Sequence, residues 1–400
     1  MSAAPAWRAR AIHLELRDEE NLFLPDKRGR SLTGHALVVG GGVSGLSSAL
    51  ALLQRGRRVT VLERGTVGGE SSWAGGGILS PLLPWDYDEA LASLALRSMA
   101  AYAGWVADIE AISGRDAEFW RCGMLALDIT APDRALAWCA AHGMAAQRGG
   151  ETRLPALPPQ IGGSHSVWLP DVAQVRNPRL VAALRAAVEQ LGGTIHELCA
   201  ATGVLTQGGR VTAVQTAADT FPADTVVLAT GAWAGLGLAG LAAAPQIRPI
   251  RGQMLLFKLE PGVLDTIVYR NGLYLIPRRD GHALVGSTLE DAGFDKSTDA
   301  ATRQRLHDEA AELLPALAAI QPVQHWAGLR PGSPDNIPII DRHPDFDNVF
   351  VNTGHYRYGV TLAPASAELL ADVMEGKTPA LDPTPYRWQA ALERRWAAGL

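Results

Sequence analysis

The chain has 400 residues, 47% hydrophobic and 19% charged, which excludes a disordered or fibrous protein and exceeds what one ordinary core holds. Its formal net charge of −5 disfavours a general nucleic-acid binder, which carries a basic excess or patch. Three cysteines, Cys122, Cys139 and Cys199, lack CxxC spacing and point to reduced thiols in a cytoplasmic protein, and the ten histidines show no HExxH or paired spacing, so no metal site is expected.

The opening MSAAPAWRARAIHLELRDEENLFLPDKRGR alternates charge with short apolar pieces. It lacks the apolar run of a signal peptide, and its acidic cluster argues against a transit peptide. No later stretch reaches the roughly 20 uninterrupted apolar residues of a membrane span. Residues 1–33 read as an extension outside the folded domains.

Residues 35–64, HALVVGGGVSGLSSALALLQRGRRVTVLER, carry the first chemical signal. ALVV reads as a buried strand, SGLSSALALLQRG as a helix ending at Gly56, and RRVTVLE as a second strand. Between the first two, Gly40, Gly42 and Gly45 give GxGxxG spacing: a tight turn, an approach of backbone to a pyrophosphate, and close helix packing. The helix start offers N–H groups and a positive dipole end to phosphates. Glu63 follows Gly45 by 18 positions, near the spacing of roughly 20 at which a carboxylate accepts from ribose hydroxyls. Its alternative role is to cap a strand. A second match, GLGLAG at 235–240, precedes Pro245 and Pro249 where a crossover helix would run, so it reads as a helical turn leaving the sheet. One dinucleotide site favours a bound flavin over a flavin paired with a nicotinamide.

GTVGGESSWAGGGILSPLLPWDY, residues 65–87, is flexible and rich in hydroxyls, yet Trp73, Ile78, Leu79, Leu82, Leu83 and Trp85 are too apolar for a surface loop. It reads as an internal cofactor loop. Residues 86–113 show helical periodicity. NPRLVAALRAAVEQLGG is a second helix, TIHELC a strand, GVLTQGGRVTAVQT a hairpin, and DTVVLATGAW a buried strand entering a glycine turn. From 249 to 288, IRGQMLLFKLE, TIVYR, GLYLIPR and HALVGST are short strands of an antiparallel sheet in another domain. DAATRQRLHDEAAELLPAL returns to helix. HWAGLRPGSPDNIPII sets Arg330 among apolar residues, where a guanidinium needs an anion: either an acid of the protein or a substrate carboxylate, and the stretch alone leaves both open. NVFVNTGHYRYGVTLAPASAELLADVM reads as strand, turn, and helix from about Val360.

Nucleotide-type elements therefore come first, in the middle and last, with antiparallel pieces between, so the chain crosses repeatedly between two domains. We expect an α/β fold: a Rossmann-like flavin-binding domain from 34–85, 170–235 and 326–378. A second, α+β substrate domain built on an antiparallel sheet would come from 86–169 and 236–325. Ligand sites favour such interfaces.

In order, the blocks VVGGGVSGLSSALALLQRG, GGESSWAGGGILSPL, QVRNPRL, LATGAWA, RGQML, LYLIPRRDGHALVGST, WAGLRPGSPDNIPII and TGHYRYGVTLAPAS resemble the D-amino-acid-oxidase-like FAD oxidoreductases. The resemblance is closest to their glycine oxidase branch of the ThiO type, runs from about His35 to Gly376, and implies that the Rossmann-like FAD-binding domain is of the GR2 or DAO type. It implies that Arg330 holds a substrate carboxylate in a bidentate pair, that the Tyr274 hydroxyl contacts the same carboxylate, and that Arg357 lies beside substrate and flavin. By the residues alone, Tyr274 in an alternating strand reads as a core tyrosine and Arg357 as a cation–π partner. The resemblance further implies flavin contacts at Val43, Ser44, Glu63, Arg64, Ser71, Ser72, Gly76, Gly77 and Ile78, at the Ala201 backbone, and along His355, Tyr356, Arg357, Tyr358, Gly359, Val360 and Thr361.

The implied activity is oxidation of a small amino acid (glycine, sarcosine or D-alanine) to an imine that water converts to a 2-oxo acid and ammonia. O2 would be the acceptor, and a place in thiamine biosynthesis fits. The block WAGLRPGSPD lacks the cysteine that attaches flavin in sarcosine-oxidase-like relatives, so FAD is expected to be non-covalent. Leu289 and Gly272 fall where relatives differ near the substrate. A quinone-linked D-amino-acid dehydrogenase, an RNA-modifying flavoprotein and a non-catalytic flavin binder remain as alternatives. No nucleic-acid or membrane partner is expected, and a homo-oligomer is compatible with the sequence.

Overall fold

The structure is a computed structural model that describes residues 34–149 and 163–397; the N-terminal extension expected at 1–33 lies outside the described residues. The described residues form one compact unit. Two sheets organise it.

The first has six strands in the order Ile339–Arg342, Val349–Thr353, Thr225–Leu228, His35–Val39, Arg58–Leu62 and Thr194–His196. Every neighbouring pair is parallel except the first, which is antiparallel. The run ALVV is wholly buried, as a strand covered on both faces must be. The helix Val43–Gln54 follows and packs against the helix Gly359–Glu375. Gly56 takes φ +79° just past the first helix, a conformation that costs glycine little.

The second sheet has eight strands. Gln324–Gly332 forms one edge, followed by Arg248–Lys258, His282–Gly286, Leu273–Pro277 and Ile267–Arg270, all antiparallel as expected from the 249–288 segment. Asn271 and Gly272 make the turn between the last two, with φ +48° and +92°, the asparagine–glycine geometry of a tight hairpin. Beyond them stand Met124–Ala126, Val167–Leu169 and Gln147–Arg148. The Met124–Ala126 strand pairs parallel to Ile267–Arg270. Strands of two or three residues are too short to show a periodicity, and sequence reading passed them over along with the helix Pro132–Ala141.

Boundaries shift for local reasons. The helix expected over 86–113 runs Glu89–Ser113, because the Asp88 carboxylate accepts from the Ala90 N–H at 2.8 Å and caps it, and Gly114 closes it at φ +66°. TIHELC is a strand only over Thr194–His196. Past it, Glu197 accepts from the Val67 N–H at 2.7 Å and Leu198 takes φ +53°, so the chain turns toward the 65–87 loop instead of extending the sheet. GLGLAG behaves as read: the helical turn Gly231–Leu236 ends at Gly237 and no crossover helix follows.

Candidate active site

The C-terminal ends of the parallel strands open onto a cavity of about 380 Å³ that reaches across to the antiparallel sheet. At the near end, the first strand passes into Gly40 at φ +112°, where a Cβ would lie 2.3 Å from the Ala229 carbonyl oxygen. A Cβ on Gly45 would lie 1.9 Å from the Gly40 carbonyl oxygen, so helix and turn touch there. Gly40, Gly42, Val43 and Ser44 line the cavity; Gly45, expected among the cofactor contacts, does not, because its task is that packing. The Val43 N–H is held by Ser72 Oγ at 2.8 Å, and the N–H groups of Ser44 and Gly45 precede the first helical hydrogen bond, from Leu46 to the Gly42 carbonyl at 2.9 Å. They make a ready anion site.

Glu63, just past the second strand, is buried and lines the cavity. Its carboxylate already accepts from the Gly41 N–H at 2.7 Å and the Gly65 N–H at 2.8 Å. These bonds fix the acid in place, and a carboxylate has acceptor sites to spare for ribose hydroxyls. Arg64 also lines this end, stacked on Trp233 with its guanidinium carbon 3.3 Å from the ring centroid and tied to Glu70 at 2.8 Å. Trp233, in the LATGAWA block, was not singled out as a site residue. Ala201 lines the same end.

The 65–87 loop forms the middle. Ser71 and Ser72 sit in the short helix Ser71–Ala74, and Gly76, Gly77 and Ile78 follow, all facing the cavity. Gly77 has φ +78°, and a Cβ there would be 2.1 Å from the Val175 carbonyl oxygen. Arg278 pins the loop: it is buried, donating to the Gly76 carbonyl at 2.8 Å and the Val175 carbonyl at 3.0 Å, and burial pulls its pKa down to about 10. Sequence reading missed Asn177. This residue is fully buried, opens the helix Asn177–Gln190, lines the cavity, and neither amide atom has a partner. A side chain on Gly75 or Gly77 would strike it, at 2.8 and 2.4 Å. An orphaned buried amide costs about 1–3 kcal/mol unless something fills its bonds, so the cavity suits a ligand with polar groups along its length.

The far end is cationic and ringed by phenols. Arg330 lies on the strand Gln324–Gly332, opposite Ile250. Its Nη1 donates to the Thr288 carbonyl at 3.1 Å and the Arg251 carbonyl at 3.3 Å, and its Nη2 to Ser287 Oγ at 2.6 Å. These bonds take up three of its five N–H groups, and the Tyr274 oxygen is a further hydrogen-bond partner of the guanidinium. No carboxylate of the described residues lies within ion-pair reach of Arg330 or Arg357. Burial lowers the Arg330 pKa, the nearby Tyr274 oxygen opposes that, and the Arg357 charge reinforces it.

Tyr274 is 8% exposed, its ring slotted between Gly76 and Gly286, where added Cβ atoms would come within 3.4 and 3.1 Å of its Cε2. Arg357 is disfavoured by burial, but the oxygens of Tyr358, Tyr87, Tyr274 and Tyr356 more than offset that and raise its pKa. Tyr358 donates to the Tyr87 hydroxyl, and Tyr356 holds a buried hydroxyl with no partner. His355 bonds Ser44 Oγ at 3.3 Å and Ser366 Oγ at 3.1 Å, and burial drops its pKa to about 4. Gly359, Val360 and Thr361 begin the 17-residue helix Gly359–Glu375 at the cavity wall, and Thr361 donates to the Ile78 carbonyl at 2.8 Å.

Of the residues expected at the site, all but Gly45 line this one cavity. Leu289 and Gly272, expected near the substrate, do not: Gly272 occupies the hairpin turn and Leu289 is 38% exposed. None of the three cysteines lines it, and all are free thiols.

Comparison with known proteins agrees with this arrangement. The family model described as FAD dependent oxidoreductase (DAO) matches residues 35–373. The glycine oxidase of Pseudomonas aeruginosa is 44% identical over 358 residues, spanning 89% of this chain and 98% of that protein. The bifunctional protein ThiO/ThiG of Trichormus variabilis is 34% identical over 365 residues, 87% of this chain but 54% of that longer protein. Among solved structures, glycine oxidase from Geobacillus kaustophilus superposes with a TM-score of 0.82 at 29% identity, covering 89% of this chain and 99% of that one.

Proposed function

The chain belongs to the DAO family of FAD-dependent oxidoreductases, and we propose on that footing that it oxidises glycine, and other small amino acids such as sarcosine and D-alanine. The products are an imine, which water converts to the 2-oxo acid and ammonia, and hydrogen peroxide from O2. For glycine the balance is glycine, O2 and water to glyoxylate, ammonia and hydrogen peroxide. The observation that carries the reading is Arg330: a cation with no carboxylate partner among the described residues, at the end of a cavity shaped for a dinucleotide.

FAD, when bound, accepts the two electrons and passes them to O2. The chain's residues do the rest. Gly40, Gly42 and the start of the Val43–Gln54 helix would hold the pyrophosphate, Glu63 the ribose, and Asn177 a polar group of the ligand's midsection. Arg330 and the Tyr274 hydroxyl take the substrate carboxylate, the guanidinium supplying charge and direction and the phenol a further donor. Fixing the acid end places the α-carbon, and positioning of this kind can supply much of a rate enhancement. No residue of the cavity's far end is placed as a general base. His355, at about 4, stays neutral near pH 7, so it can accept a hydrogen bond without adding a third cation.

Arg357 and the N-terminus of the Gly359–Glu375 helix both direct positive potential at the cavity, which favours negative charge developing there during oxidation. We assign FAD as non-covalent, because no cysteine lines the cavity. The proposal extends to thiamine biosynthesis, supported by the likeness to ThiO/ThiG, and to a cytoplasmic protein, supported by the free thiols. It also treats 34–85, 170–235 and 326–378 as the FAD-binding domain and 86–169 and 236–325 as the substrate domain.

The test is peroxide release from the purified yellow protein supplied with glycine. Peroxide and ammonia in equal amounts support the oxidase; reduction of an added dye without peroxide would replace O2 by another acceptor.

A further inference from the structure

We infer that Gly252 is a positioning residue for the substrate carboxylate: the side chain it lacks is the slot in which the Arg330 guanidinium lies. This deepens the proposed function and rests on it. Gly252 is buried in the strand Arg248–Lys258, opposite Gly328, while Arg330 sits diagonally across, opposite Ile250. A Cβ built on Gly252 would lie 2.1 Å from Arg330 Nη1, 2.3 Å from Nη2 and 2.4 Å from the guanidinium carbon. Its three nearest atoms all belong to that one group. Gly252 is not among the residues with positive φ, so the backbone does not require glycine there.

The guanidinium is thereby laid flat against the strand. Its position is completed by the carbonyls of Arg251 and Thr288 and by Ser287 Oγ, the acceptors that turn three N–H groups inward, so the remaining edge faces Tyr274 and the cavity. A methyl group at position 252 displaces a flexible side-chain end rather than backbone, so the sheet survives while the Nε and Nη2 donors move. Misplacement by about 1 Å is enough to weaken a bidentate pair and the orientation that depends on it.

The experiment compares Gly252→Ala and Gly252→Ser with the wild type, alone and combined with Arg330→Ala. It reads KM for glycine, perturbation of the FAD absorbance by acetate, FAD affinity and melting temperature. KM should rise roughly 10- to 150-fold, the span of one lost charge-assisted hydrogen bond at 1.5–3 kcal/mol, and the acetate response should weaken alike. FAD affinity and melting temperature should stay near wild type, and in the Arg330→Ala background the second substitution should add nothing. Wild-type KM in Gly252→Ala, an undiminished further rise in the Arg330→Ala background, or failure of both variants to fold or retain FAD overturns the inference. A wild-type protein inert to glycine and unresponsive to acetate overturns the functional reading instead, and this inference with it.

Discussion

Arg251 and Arg330 stand on paired strands, and among the described residues only Arg251 has carboxylate partners: its Nε meets Glu290 at 2.9 Å and its Nη1 meets Asp295 at 2.7 Å. Arg330 instead donates to the Arg251 carbonyl at 3.3 Å. Nearby acids are thus taken up by the arginine on the other side of the strand pair. Gln253 and Thr288 hold Glu290 in that arrangement through further hydrogen bonds. The result is a cation kept without an internal anion at the cavity wall, where a ligand carboxylate would complete it.

Asn177→Ala removes an amide that has no partner in the protein alone. Stability of the apoprotein should hold or rise, because the orphaned amide costs it about 1–3 kcal/mol, whereas FAD affinity should fall about tenfold, the worth of one hydrogen bond. Urea unfolding of the apoprotein and FAD titration separate the two effects. An equal loss in both would show that Asn177 serves the fold.

Arg278→Met leaves the Gly76 and Val175 carbonyls and the Gln174 amide without a donor. A loss of about 3 kcal/mol or more in holoprotein stability is expected, with weaker FAD retention, because the loop at Gly76 and Gly77 loses its tether. Wild-type denaturation and cofactor affinity in that variant would remove Arg278 from this role.

His355 predicts a pH dependence of stability. Its pKa is about 4 in the fold against 6.5 as the reference, so between these values the unfolded chain binds the extra proton. Stability is therefore intact above about pH 6.5 and declines as the pH falls toward 4, by up to roughly 3 kcal/mol for this group. Burial shifts His343 and His325 the same way, so His355→Asn should flatten part of the slope. Denaturant midpoints at pH 7 and pH 5 measure it; an unaltered slope in the variant would contradict the assignment.

The near end of the site was legible because its constraint is local: GxGxxG followed by an acid is a pattern within one strand–helix–strand unit, and Gly40, Gly42 and Glu63 lie where it puts them. Arg330 was legible as an oddity, a cation in an apolar run, but its lack of an internal partner depends on where Glu290 and Asp295 go. Asn177 and Gly252 escaped notice because their tasks arise only when distant segments meet. The short strands Met124–Ala126 and Val167–Leu169 escaped because three residues carry too little pattern, and their pairing with each other and with Ile267–Arg270 defines them. Gly45 was placed among ligand contacts because one motif mixes glycines that face phosphate with one that faces its own turn.

The most direct measurement is anaerobic bleaching of the bound FAD by glycine compared with glycinamide, which keeps the amine and α-carbon but lacks the carboxylate, in the wild type and in Arg330→Ala. If Arg330 grips that carboxylate, the wild type is bleached by glycine at concentrations where glycinamide is inert, and the variant loses most of that preference. Equal bleaching of the wild type by both compounds, or an unaltered preference in Arg330→Ala, would contradict it.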